Sequence, residues 1–182
     1  MNVSKEALVI VDMSNDFVAD EGTLTVGKPG QDIVPYIEEL ATQFLANGDI
    51  VVVSMDAHQP NDPHFDLWPP HNIEGTKGQQ LYGDLYDWFQ GHKDHEHLLY
   101  QPKANYNAFF QTELAEKLRK LDVKKVHVAG VTTDICDFLT IAGADAEGFQ
   151  TVIHKRGIAT FTDLGEIMVN HMVRCFHTEV VE

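Results

Sequence analysis

Apolar residues run unbroken from Ala7 to Val11 and stop at Asp12. A run of that length predicts a strand buried on both faces. Ile33, Ile37, Leu40, Ala41 and Phe44 then recur at helical spacing, predicting a helix over 32–47 with Pro35 in its first turn and Gly48 as its stop. A second apolar run, 50–55, predicts a strand ending at Asp56. Residues 57–80 hold four prolines, three histidines and two glycines, which predicts a long irregular segment. A loop of that length in a compact domain is usually functional. Beyond it the pattern predicts a short helix over 81–90, a strand over 97–101 just before Lys103, and a helix over 112–121 capped by Thr112. A strand over 125–130 follows, then a helix from Thr133 or Asp134 to Glu147, stopped by Gly148. A strand over 149–154, a helix over 163–173 and a closing strand over 176–181 complete the pattern.

Strand and helix alternate throughout. The fold class expected is α/β: a single-domain doubly wound parallel sheet with helices on both faces, spanning 1–182. There are no internal repeats, low-complexity segments or inter-domain linkers.

Composition adds constraints. Hydrophobic residues make up 43 % and charged residues 23 %, which excludes a wholly disordered chain. The formal charge of -15 argues against binding to nucleic acid or an anionic membrane, because phosphates are repelled. Two cysteines, Cys136 and Cys175, form no disulfide framework and suit a reducing compartment. The first apolar stretch is too short for a signal sequence or membrane span. A soluble cytoplasmic protein is expected.

In open α/β sheets ligands bind at the carboxyl ends of strands. Asp12, Asp56, Lys103 and the segment from Gly130 to Cys136 all fall there. Asp56 and His58 are alternate residues leaving a strand, with His64 and His71 beyond. Carboxylate and imidazole donors suit Zn²⁺, Fe²⁺, Mn²⁺ or Co²⁺; loop histidines also serve commonly as exposed hydrogen-bonding groups. Near Cys136 a strand turns into a helix, where peptide N–H groups lower a thiol pKa and can bind an oxyanion. Cys175, between a helix and the last strand, reads as a core residue. Asp12 alone reads equally as a turn cap and Lys103 alone as a solvated lysine. With Cys136 they form a coherent set of base, cation and nucleophile. Phe17, Trp68 and Tyr106 are aromatic residues that, converging at one mouth, can grip a flat ring.

These residues resemble the nicotinamidases of the isochorismatase-like cysteine hydrolases. The likeness covers almost the whole chain. It rests on Val11-Asp12-Met13-Ser14-Asn15-Asp16-Phe17, Asp56-Ala57-His58, Trp68-Pro69-Pro70-His71 with Gly75-Thr76, Lys103 with Tyr106-Asn107-Ala108-Phe109, and Gly130-Val131-Thr132-Thr133-Asp134-Ile135-Cys136. The resemblance implies Asp12 as proton acceptor, Lys103 as electrostatic partner and Cys136 as nucleophile. It implies one divalent metal, zinc first and iron or manganese next, held by Asp56, His58, His64 and His71, carrying water and accepting a pyridine nitrogen. It also implies ring-binding by Phe17, Trp68 and Tyr106. A cis peptide joining Val131 to Thr132 would aim the amides of Thr132 and Cys136 at an oxyanion. Isochorismatases proper lack the cysteine, and several other amidohydrolases of the superfamily lack the metal ligands. Two features depart from the family pattern: Asp137 stands where relatives place an apolar residue, and the region after Thr160 matches loosely.

The activity implied is hydrolysis of nicotinamide to nicotinate and ammonia through a thioester, a step of NAD salvage. The alternatives are amide hydrolysis of another small carboxamide in the same site, a metal hydrolase with bound water as nucleophile, and a non-catalytic metal-binding or sensing domain. The expected partner is a small-molecule carboxamide. Relatives are often homo-oligomers, although the chain carries no assembly signal of its own.

Overall fold

A computed structural model describes residues 4–182; the first three residues of the expected 1–182 domain lie outside it. Among the described residues, six strands form one sheet: β1 (Lys5–Val11), β2 (Ile50–Asp56), β3 (Leu98–Lys103), β4 (Val123–Val131), β5 (Gln150–Ala159) and β6 (Glu179–Val181). Their order is β3-β2-β1-β4-β5-β6, and every pairing is parallel. This is the doubly wound α/β arrangement expected from the alternation of elements.

The helices are α1 (Asn15–Val18), α2 (Lys28–Asp32), α3 (Val34–Asn47), α4 (Asp84–His92), α5 (Leu114–Lys120), α6 (Phe138–Ala146) and α7 (Gly165–Phe176). Strand alternation divides the core in two. Leu8, Ile10, Val51 and Val53 pack under α3 with Ile37, Leu40 and Phe44. Ala7, Val9, Val11 and Val52 pack on the other face with Leu114, Leu118, Ile141 and Met172 from α5, α6 and α7. Both faces of β1 and β2 are covered, which is why they read as continuous apolar runs.

Chain order reverses between β1 and β4, and the crevice at such a switch point is where α/β sheets bind ligands. Gly130 brings the two strands hard together there. Its φ is +142°, and a Cβ added to it would lie 2.1 Å from the Val11 carbonyl oxygen.

Several boundaries differ from the sequence pattern for identifiable reasons. The helix expected over 32–47 is α3, which starts at Val34 with Pro35 in its first turn and Gly48 as its stop; a separate short helix, α2, precedes it and ends at Asp32. The helix expected from Leu81 starts at Asp84: Leu81 bridges Ser14, and the Tyr82 N–H donates to Met13. β3 runs on through Pro102 to Lys103, since a proline without an N–H is tolerated on an edge strand. Glu113, not Thr112, holds the N-cap position of α5; the Thr112 hydroxyl donates to the Ala108 carbonyl and accepts the Leu114 N–H of the first turn at 3.4 Å. Neither Thr133 nor Asp134 caps α6. Finally, α7 continues to Phe176, so Cys175 is an exposed helix residue beside His171 rather than a core residue.

Candidate active site

Asp12 follows β1 in a left-handed conformation, φ 54°, and its N–H still donates to the Ser54 carbonyl of β2. Such a conformation is uncommon for a non-glycine residue and gathers at functional sites. It turns the carboxyl across the strand ends. One oxygen accepts the Asp56 N–H at 2.9 Å, and the other accepts Lys103 Nζ at 2.7 Å. Lys103 is the register partner of Asp56 across β2 and β3, and donates to it at 2.5 Å. One buried ammonium thus joins two buried carboxylates.

Cys136 arrives from β4. The Val131–Thr132 peptide is cis. The turn after it is wide, with the Asp137 N–H reaching back to the Thr132 carbonyl, a π-turn of the kind frequent at functional sites. Cys136 lies in that turn, buried and near enough to Asp12 for each to alter the other's proton affinity.

Burial raises Asp12 to about 6, with the negative charge of Asp56 adding to the effect and Lys103 opposing it. Burial also pushes Asp56 up, but Lys103 and His58 outweigh it and hold that carboxyl down at about 2. Lys103 is held protonated: burial works against its charge, and Asp12 and Asp56 overcome it. The Cys136 thiol is pushed well above its ordinary value by burial and then by Asp12, against Lys103. This corrects the expectation of a thiol lowered by a helix start; desolvation is the larger effect. Asp137 points inward, fully buried, with neither carboxyl oxygen hydrogen-bonded. Burial and then the negative charge of Asp12 push its proton affinity well above the ordinary carboxyl value, against Lys103.

Beside this set, His58, His64 and His71 bring one nitrogen each within 4.8 Å of one another. The His71 Nδ1–H donates to the Pro69 carbonyl at 2.7 Å, which leaves its Nε2 with a lone pair. His58 Nδ1 pairs with Asp62 at 2.9 Å, and its Nε2 is buried without a hydrogen-bond partner. These nitrogens lie 3.7 and 3.8 Å from the free oxygen of Asp56. The His64 ring stacks on His58 at 4.8 Å. Three imidazoles and a carboxylate, with two imidazoles oriented by outer partners, form a donor set that fits a divalent ion such as Zn²⁺, Fe²⁺ or Mn²⁺.

The loop carrying these histidines is tied down. The His58 N–H donates to the Asn72 carbonyl, and the Asn72 N–H donates to the Asp16 carboxylate. Gly78 lets the chain pass that carboxylate, where a Cβ would lie 2.2 Å from its oxygen.

Cys136 of the first set and Asp56, His64 and His71 of the second open into one pocket. Phe17, Trp68 and Tyr106 line it, as do Asp56, His64, His71, Thr132 and Cys136. The Trp68 indole donates to the Tyr106 hydroxyl at 3.0 Å, fixing the two rings against each other. Sequence reasoning missed Leu24, Val131, Ile135 and Phe161, which complete the apolar lining. Ile135 and Val131 lie inside the segment already singled out; nothing in the local sequence marks Leu24 or Phe161. The arrangement provides a thiol in an apolar slot, a sealed carboxylate–ammonium pair next to that thiol, and a cluster of metal-type donors beside them.

Comparison with known proteins agrees with this picture. The isochorismatase domain model matches residues 6–180. An uncharacterized isochorismatase family protein, PncA of Bacillus subtilis (strain 168), is 41 % identical over 182 residues, covering 98 % of this chain and 100 % of that protein. The crystal structure of nicotinamidase/pyrazinamidase PncA from Bacillus subtilis superposes with a TM-score of 0.95 at 40 % identity, covering 98 % of this chain and 100 % of that one. The pyrazinamidase of Pyrococcus horikoshii, solved in complex with zinc, superposes with a TM-score of 0.86 at 28 % identity, covering 98 % and 99 %.

Proposed function

The chain belongs to the isochorismatase family, and from that premise we propose that it hydrolyses nicotinamide to nicotinate and ammonia through a thioester on Cys136. The observation that carries this reading is that Cys136, next to the buried Asp12–Lys103 pair, opens into the same aromatic-lined pocket as Asp56, His64 and His71 of the metal-type donor set. The likeness to a nicotinamidase/pyrazinamidase supports the substrate class.

Asp12 is the base. Burial keeps the Cys136 thiol protonated at rest and raises the affinity of Asp12 for a proton, so transfer between them is less uphill than to an ordinary carboxylate. Lys103 stabilises the negative charge whether it sits on Asp12 or on sulfur. Cys136 Sγ attacks the carboxamide carbon, and the carbonyl π electrons move onto oxygen. The N–H groups of Thr132 and Cys136 donate to that oxyanion. Asp12 passes its proton to the departing nitrogen, the C–N bond breaks, and ammonia leaves. Water then attacks the thioester and gives a proton to Asp12. The C–S bond breaks, the proton returns to sulfur, and nicotinate is released.

Asp56, His58, His64 and His71 are the residues that would hold a divalent ion, with Asp62 and the Pro69 carbonyl orienting two of the imidazoles. When bound there, zinc, or iron or manganese, supplies Lewis acidity and a coordination position for the ring nitrogen. Phe17, Trp68 and Tyr106 enclose the ring. Two free cysteines suit a reducing compartment, and the cytoplasm is the proposed location.

The test is ammonia release from nicotinamide and pyrazinamide by purified protein, before and after chelation and return of Zn²⁺, Fe²⁺ or Mn²⁺. Release that falls on chelation and recovers on return supports the reading. Silence of folded, metal-loaded protein on both substrates overturns it and moves the assignment to another small carboxamide.

A further inference from the structure

Phe161 lines the pocket although it lies 49 % exposed on the segment between β5 and α7. Packing therefore holds it on one side only. Hydrogen bonds hold its neighbours. The Thr160 hydroxyl donates to one oxygen of Asp134 at 2.5 Å, and the Thr162 hydroxyl donates to the other at 2.7 Å. Each hydroxyl also accepts a backbone N–H, Thr160 from Thr162 and Thr162 from Leu164. Each hydroxyl thereby spends its proton on Asp134 and one of its two lone pairs on a backbone N–H, which fixes its rotamer against the backbone that bears it. Asp134 belongs to the same turn as Cys136. The residue that anchors the Phe161 segment and the thiol are thus carried by one piece of chain.

We propose that Asp134, through Thr160 and Thr162, is a positioning residue that fixes Phe161 as the outer wall of the substrate pocket and so restricts the site to single-ring carboxamides. The substrate class rests on the function proposed above; the latch itself rests only on the geometry. With Thr160 and Thr162 turned toward Asp134, the residue between them is directed to the pocket. The wall is apolar and planar, suited to the edge or face of an aromatic ring. Freed from the latch, this half-exposed side chain keeps only the packing on its buried side to hold it over the slot.

The experiment compares metal-loaded wild type, Phe161→Ala, the double variant Thr160→Val with Thr162→Val, the corresponding double serine variant, and the triple variant combining Phe161→Ala with both valines. The double valine variant raises KM for nicotinamide about tenfold with little change in kcat, as expected for loss of one aromatic contact. It also raises turnover of a quinoline carboxamide relative to nicotinamide. Phe161→Ala does the same, the triple variant adds less than about twofold to either, and serine restores wild-type behaviour.

A second readout needs no turnover: the rate at which Cys136 is alkylated by an N-benzyl iodoacetamide relative to iodoacetamide, measured on the Cys136 peptide by mass spectrometry. That ratio rises several-fold in Phe161→Ala and in the double valine variant. If wild type does not act on nicotinamide, the substrate reading fails while the alkylation ratio still decides the latch. Phe161→Ala replaces a half-exposed side chain and keeps the fold, so an unchanged ratio in it overturns the wall. An unchanged ratio in the double valine variant, or effects that multiply in the triple variant, overturns the role of Asp134.

Discussion

Lys103 Nζ donates to the Asp12 carboxylate at 2.7 Å, with both side chains sealed from solvent. The same ammonium bonds Asp56, so removing it leaves two buried carboxylates facing each other without a counter-charge. Breaking a buried pair by deleting one partner costs about 3–5 kcal/mol. Lys103→Ala is therefore expected to lose stability on that scale in urea denaturation and to lose ammonia release with it. A variant as stable and as active as wild type would show that the ammonium is not what sustains Asp12.

Asp62 holds His58 Nδ1 at 2.9 Å with one carboxylate oxygen, and its other oxygen accepts the His64 backbone N–H at 2.8 Å, so its one contact with an imidazole nitrogen of the cluster is to His58. Residues that orient a ligand in this way commonly change metal affinity about 10–100-fold when altered. Asp62→Asn should weaken Zn²⁺ binding by that factor in competition with a chelator while retaining the fold. Unchanged affinity would remove His58 from the metal-holding set.

Asp137 is a fully buried carboxyl in a helical turn with neither oxygen hydrogen-bonded, and burial raises its proton affinity. Burying such a group without partners costs about 1–3 kcal/mol. Asp137→Leu, close in size, should raise the unfolding free energy by about that amount and leave the acid limb of the activity profile where it was. A loss of stability would indicate that a water partner satisfies the carboxyl.

A buried polar chain lies away from the site. Tyr36 bonds His154, His154 bonds His127, and His127 bonds Glu6, with separations of 2.9, 2.9 and 2.8 Å. Burial lowers His154 from 6.5 to about 4, with His127 adding to the effect and Glu179 opposing it. The unfolded chain therefore binds the extra proton first as pH falls. The contribution of His154 is full above pH 6.5 and is lost progressively down to about pH 4, by up to about 3 kcal/mol. His154→Gln should flatten the stability curve in that interval relative to wild type, measured by denaturation at stepped pH. Parallel curves would contradict the assignment.

Part of the site is legible in the sequence because two of its carboxylates, Asp12 and Asp56, end apolar runs. Strands buried on both faces announce themselves, and Asp12 and Asp56 each stand at the C-terminal end of one. Topology then gathers them. What sequence patterns miss depends on contacts between distant segments. Phe161 reaches the pocket through hydrogen bonds spanning 26 and 28 positions. The direction of the Cys136 shift follows from burial and Asp12, whereas the local sequence signals only a helix start. Cys175 is exposed because α7 runs past the expected end at Val173, and Lys103 is inside β3 because an edge position excuses Pro102.

The central claim is that Cys136 is the nucleophile. Ammonia release from nicotinamide by Cys136→Ala, compared with wild type at equal metal content and equal unfolding midpoint, tests it most directly. The account predicts a fall of roughly 10⁴-fold or more. A rate within a few-fold of wild type would contradict it and place the attacking group elsewhere in the pocket.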